Sequence, residues 1–65
     1  MRQVYYVGFN EDQIRKVHAN SESDAKIRYG LHYNPMSPTP KAYIKIFRTP
    51  SESSKRKADD QLTIN

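Results

Sequence analysis

The chain has no cysteine among its 65 residues. That excludes a disulfide framework and any zinc site built on thiolates. The two histidines, His18 and His32, cannot make a structural metal centre alone, so no metal and no cofactor is expected. No apolar run approaches the ~18 residues that a membrane span needs, so no membrane partner is expected. Met1-Arg2-Gln3-Val4-Tyr5 leads straight into a strand and carries no signal-peptide pattern. The expected location is therefore cytoplasmic. Catalytic arrangements are missing too: there is no Ser-His-Asp spacing, no glycine-rich phosphate loop and no pair of carboxylates in a plausible pocket. The expectation is a binding protein, not an enzyme.

What is present is basic charge on a small frame. Lys and Arg number 11 against 7 acidic residues, for a net charge of +4. That balance suits an acidic protein surface or nucleic acid. A domain of this size buries only about 60% of the surface its unfolded chain exposes. Without disulfide or metal staples, such a core often relies on a partner chain or on a second copy of itself.

The organising stretch is Ala19-Asn20-Ser21-Glu22-Ser23-Asp24-Ala25, where a strand gives way to a helix. Ser21 followed by Asp24 has the capping-box spacing, and Glu22 and Asp24 put negative charge in the first turn, where the helix dipole favours it. Upstream, residues 3–9 and 13–19 are rich in β-branched and aromatic types and read as an antiparallel hairpin about the polar turn Asn10-Glu11-Asp12. Alternation puts Tyr5, Val7, Phe9, Val17 and Ala19 on the covered side, and Val4, Tyr6, Ile14, Lys16 and His18 on the other.

Downstream, Ala25, Tyr29 and Tyr33 recur every four residues as a helical stripe, with Ile27 and Leu31 on a different side. The helix ends either at a glycine cap near Gly30 or at Tyr33, the longer form being favoured. Residues 34–40, with Pro35, Pro38 and Pro40, form a loop. Residues 42–48 read as the clearest strand, closed by Pro50. Residues 51–65 are rich in Ser, Lys, Arg and Asp and read as a disordered, flexible charged tail. The chain thus divides into a single ββαβ domain, 1–50, and the tail. The fold class is α+β, a three-stranded antiparallel sheet of order 2-1-3 with one helix on one face.

Two binding surfaces compete. The outer strand edge presents Arg15 and Lys16 to a protein partner. The open sheet face presents aromatics interleaved with cations. Tyr6, Tyr43 and Phe47 could stack unpaired bases while Lys16, Lys45 and Arg48 meet phosphates, or the same face could pack against a second copy. Lys55-Arg56-Lys57 is too short a basic run to specify anything beyond a solvated segment.

The order hairpin, capped helix, strand and short tail resembles the small bacteriophage-encoded inhibitors of host RNA polymerase from podovirus-type coliphages. The residues that carry the resemblance are Ala19, Ser21 and Asp24-Ala25 at the junction, and Tyr43-Ile44-Lys45-Ile46-Phe47-Arg48 with Pro50 close behind. It spans residues 3–50. The chain departs from the pattern in its proline-rich loop, its longer charged tail and its basic net charge. The resemblance implies a stoichiometric effector in the host cytoplasm that binds an acidic surface of the polymerase and blocks promoter engagement, with Arg48 as a contact. Small basic proteins that bind single-stranded nucleic acid are the alternative class.

Overall fold

The computed structural model describes residues 2–37 and 39–65; Met1 and Pro38, the latter in the expected proline loop, lie outside the described residues. Strand β1 (Gln3–Gly8) pairs antiparallel with β2 (Arg15–Ala19), Gln3 opposite Ala19 and Val7 opposite Arg15. The hairpin closes through a 3-10 turn, Glu11–Gln13, capped by the Asn10 side chain, which accepts from the Asp12 amide at 2.9 Å. That turn uses Gln13, so β2 starts two residues later than the expected 13–19. Gly8 is required here, because a Cβ on it would lie 2.7 Å from the Gln13 carbonyl oxygen.

Helix α1 (Glu22–Tyr33) starts as its cap dictates. The Ser21 hydroxyl accepts from the Asp24 amide at 3.1 Å, and the Asp24 carboxylate reaches back to the Asn20 amide at 3.0 Å. Arg28, one turn on, donates to the same carboxylate at 2.9 Å. The Asn20 amide first, and then Arg28, hold the Asp24 carboxyl below its ordinary range. The helix runs through Gly30 to Tyr33, and the Asn34 amide closes it on the Gly30 carbonyl at 2.9 Å. Gly30 is not a left-handed cap. It is a close approach, since a Cβ would meet the Thr39 carbonyl oxygen at 3.2 Å.

The core follows the alternation. Val7, Val17 and Ala19 on the sheet meet Ala25 and Tyr29 on α1, with Tyr5, Phe9 and Ile46 at the margin. Tyr29 is fully buried, and its hydroxyl donates to the Gln13 carbonyl at 2.8 Å. The helix is thereby tied to the hairpin turn as well as to the strands. Removing side chains of this size from water is worth roughly 1.5–3 kcal/mol each.

Strand β3 (Lys45–Ile46) pairs antiparallel with the free side of β1, giving the order β2-β1-β3. The sheet is three-stranded and antiparallel, and the fold is α+β, as the hydrophobic pattern implied. The expected strand over 42–48 is much shorter in fact. Pro40 leads into a second 3-10 turn, Lys41–Tyr43. The Tyr43 and Ile44 amides donate to Pro40 and Lys41 at 3.0 Å each, so neither reaches the ladder. Only the Phe47 amide, 2.8 Å from the Tyr6 carbonyl, extends the pairing.

The larger correction lies in residues 51–65, expected to be a disordered tail. They form a second helix, α2 (Glu52–Asp59), followed by an extended segment. Ser51 caps α2 by accepting from the Ser54 amide at 3.3 Å, and Ala58 is fully buried. The Ser54 hydroxyl donates to the Glu11 carbonyl at 3.0 Å, which fixes α2 to the hairpin turn. Further on, Ile64 forms a parallel bridge with Val17 and joins the core. The radius of gyration of 10.7 Å matches the ~11 Å of a fully compact chain of this length. Among the described residues, no helix is long and apolar enough to cross a membrane.

Candidate partner-binding surface

The six residues singled out from the sequence fall into two groups. Arg15 and Lys16 are engaged within the chain. Arg15 stands opposite Val7, on the face that α1 covers. Its guanidinium donates to the Tyr33 hydroxyl at 3.3 Å and to the Leu62 carbonyl at 2.7 Å, and its Nε is buried without a partner. Lys16 projects from the other face, but its Nζ lies 3.6 Å from the Asp59 carboxylate of α2. That carboxylate also accepts from the Tyr6 hydroxyl at 3.3 Å. Loss of solvent, and then the charge of Asp59, raise the Tyr6 pKa above its ordinary value.

The remaining four gather at the β3 end. Tyr43 sits on the 3-10 turn and is 68% exposed, and Lys45 on β3 is exposed. Phe47 is half-buried and hydrogen-bonds through its backbone to Tyr6, its cross-strand neighbour. Arg48 reaches the first turn of α1, where its Nε and a terminal nitrogen each donate to the Glu22 carboxylate at 3.1 Å. Even so, the Arg48 side chain is 79% exposed.

Between α1 and β3 runs an open groove of about 590 Å³, lined by Lys26, Ile44, Lys45, Ile46 and Arg48, with Glu22 at one end. Its floor is aliphatic and its rim mostly cationic. A second cleft, of about 350 Å³, wraps the end of the β1–β3 pair, bounded by Val4, Tyr6 and Phe47 on one side and by Tyr5, Ile46 and Glu22 on the other, with Arg48 beside them. Tyr43 belongs to neither wall, so the three aromatics expected to act as one platform stand on three different segments: Tyr6 on β1, Tyr43 on the 3-10 turn and Phe47 just past β3.

The histidines stay apart from one another in their contacts. His18 Nδ1 lies 3.3 Å from Asn65 Oδ1, and the His32 ring meets the edge of Tyr33 at 5.0 Å. Among the described residues, no three His, Asp or Glu side chains gather where they could hold a metal ion. A further cavity of about 220 Å³, more enclosed than either groove, lies beside Phe9, Arg15, Tyr29 and Tyr33 and is bordered by Gln61. None of its members had been singled out as a group. The same alternation that turns Val17 and Ala19 inward also turns Arg15 inward, and this was the signal for it.

Comparison with known proteins finds no matching family model, no matching curated protein and no matching solved structure.

Proposed function

We propose that this chain is a small non-enzymatic effector of phage type that binds a host protein and inhibits it, with host RNA polymerase in the host cytoplasm as the first target. The observation that carries the reading is the β3 end of the sheet. There an edge strand of two residues carries exposed Lys45 and is followed by exposed Arg48, both on a groove with an aliphatic floor, while Tyr43 stands exposed on the turn before it. Short, charged edges resist unguided pairing with other strands, yet they still accept a partner with complementary charge. Lys26, Lys45 and Arg48 would draw in an acidic surface and speed encounter at low salt. Phe47, on the neighbouring cleft, would supply an apolar contact beside the groove. Arg15 and Lys16 take no part: the Arg15 guanidinium is held by Tyr33 and Leu62 with its Nε buried, and the Lys16 side chain is only 26% exposed beside Asp59, whereas Arg48, although paired with Glu22, stays 79% exposed.

Direct binding of single-stranded nucleic acid is the second reading, favoured by the adjacency of Tyr6 and Phe47 beside Lys45. Asp59 counts against it. Its carboxylate lies against both Tyr6 and Lys16, where a phosphate backbone would have to run.

Capture from bacterial lysate by the parent chain and by the double variant Lys45→Glu, Arg48→Glu tests the first reading. Recovery of polymerase subunits by the parent alone is the expected result. If the parent recovers none, polymerase is removed as the target. A titration of labelled oligonucleotide at two salt concentrations tests the second reading. Binding that survives physiological salt and weakens in Phe47→Ala would favour it.

A further inference from the structure

The outer edge of β2 is not open. Among the described residues, one closes it: the Ile64 amide donates to the Lys16 carbonyl at 2.9 Å, and the His18 amide donates to the Ile64 carbonyl at 2.7 Å. This is one complete station of a parallel ladder, centred on Val17. Beyond it the edge stops, because the Asn20 amide is already held by Asp24. Upstream, Arg15 anchors the Leu62 carbonyl at 2.7 Å. Downstream, Asn65 meets His18. In this C-terminal strap, residues 61–65, the large apolar side chain that is buried is Ile64, 6% exposed, while Leu62 is 87% exposed.

The strap therefore fills its site poorly. Leu31 on α1 is exposed beside it, and Ile27, one turn earlier on the same side, is exposed as well. Arg28, Leu31 and His32 line a cleft of about 270 Å³ against Ile64 and Asn65. Two backbone hydrogen bonds, the Arg15 bond to Leu62, the His18 contact with Asn65 and one buried side chain must together offset the entropy of ordering residues 61–65.

We propose that the β2 edge is an exchangeable strand-docking site. Residues 61–65 occupy it in the free chain, and an extended segment of a partner protein, running parallel to β2, takes their place. The contacts of the strap define what that segment carries. A β-branched apolar residue fills the place of Ile64. A carboxylate-bearing residue follows it in the place of Asn65, facing His18, in a cleft also lined by His32 and by Arg28, which Asp24 already engages. A backbone carbonyl two residues earlier meets Arg15. A second apolar side chain covers Leu31, which the chain's own sequence leaves bare. A second copy of this chain would leave it bare too, so the occupant is a different protein. The site does not involve β3, and it stands or falls independently of the polymerase reading.

The test uses the full chain carrying Ile64→Pro, which cannot donate to Lys16 and loses the core contact. The probes are capped pentapeptides, Gln-Leu-Thr-Ile-Asn and Gln-Leu-Thr-Ile-Asp, followed by amide chemical shifts. Saturable shifts at Val17, His18 and Leu31 are expected in the variant. Affinity for the unaltered chain should be at least ~10-fold weaker, because the tethered strap competes at high effective concentration. The aspartate peptide should bind more tightly than the asparagine one. Equal binding to both proteins, or none to the variant, overturns the proposal. So does concentration-dependent dimerisation of the unaltered chain through this edge, which would assign the site to a second copy. If the variant does not fold, hydrogen exchange of the unaltered chain decides. The Ile64 and His18 amides should exchange by local opening, far faster than those of β1, and equal protection overturns the exchangeable strap.

Discussion

Helices α1 and α2 both pack against the hairpin, and opposite means hold them there. Tyr29 on α1 is a large ring, fully buried, that stacks edge-on against Phe9 at 5.2 Å. Buried on α2 are Ser54 and Ala58, one turn apart and small. The first helix is attached by apolar area. The second is attached by close approach, a serine hydroxyl on the Glu11 carbonyl, and the Asp59 carboxylate over Lys16 and Tyr6. Area removed from water supplies most of the stability of a small domain. Loss of an α1 contact should therefore unfold the whole chain, whereas loss of an α2 contact should release α2 and the strap and leave the sheet standing.

The largest expected effect comes from Tyr29→Ala. It removes the ring and the hydrogen bond to Gln13, at a cost of about 3–5 kcal/mol, enough to abolish cooperative unfolding in a domain this small. Urea melts followed by circular dichroism measure it. A cost no greater than that of the α2 variants below would erase the contrast. The same residue gives a pH signature. Burial first, and then neighbouring Tyr33, push the Tyr29 hydroxyl up to about 12 from an ordinary 10.0. The folded state thus keeps a proton that the unfolded state releases. The stabilisation is complete below pH 10 and is lost as pH rises toward 12. Alkaline unfolding in that window should flatten in Tyr29→Phe, which has no proton to lose.

Next in size is Ala58→Leu. The site is sealed, so the extra side chain has no room, and overpacking of this kind costs about 1–3 kcal/mol. The effect should be local. Amides of 52–64 should lose hydrogen-exchange protection while those of β1 and of Val17 keep theirs. Uniform loss would mean that α2 belongs to the same cooperative unit as α1.

The contrast between the helices also explains what the sequence disclosed. Strong alternation and a capped, aromatic-striped helix announce β1, β2 and α1, and with them the sheet order. A helix whose buried residues are Ser54 and Ala58 has no apolar stripe to announce it. Its composition of Ser, Lys and Arg is that of a solvated segment. The local trace it does leave is Ser51 at capping distance from Ser54, followed by Ala58. Strand β3 was overextended because side-chain alternation over 42–48 is blind to backbone donors already committed to a turn at Pro40 and Lys41. The candidate site divides along the same line. Lys45, Phe47 and Arg48 could be placed by alternation, whereas the partners of Arg15 and Lys16, namely Leu62 and Asp59, lay in the segment that gave no signal.

The two caps offer a smaller comparison. Ser21 caps the helix that the core depends on, so Ser21→Ala should cost about 0.5–2 kcal/mol in global stability. Ser51→Ala removes the equivalent bond from α2 and should change global stability less, while raising exchange at Ser54. Urea midpoints and exchange rates on the same pair of variants separate these outcomes. Equal midpoint shifts would join the helices into one unit.

The smallest stability effect should come from the two ion pairs that reach from a helix to the sheet side of the fold: Glu22 of α1 with Arg48 at 3.0 Å and Asp59 of α2 with Lys16 at 3.6 Å. Exposed pairs of this kind contribute about 0–1 kcal/mol, since solvent and salt screen them and two long side chains must be held still. Arg48→Ala and Lys16→Ala should therefore melt nearly together with the parent. Their binding should not agree. Arg48 stands on the groove beside β3, and its loss removes a cation from the proposed contact with an acidic partner. Each cation has a carboxylate beside it, but the Lys16 side chain is only 26% exposed against 79% for Arg48, so Lys16 offers such a partner little. Association rates with the captured partner, measured at two salt concentrations, should fall and lose salt dependence in Arg48→Ala, and stay near parental in Lys16→Ala. If the two variants bind alike, the contact does not discriminate between the two ends of the sheet, and the β3 end loses its claim to be the docking surface.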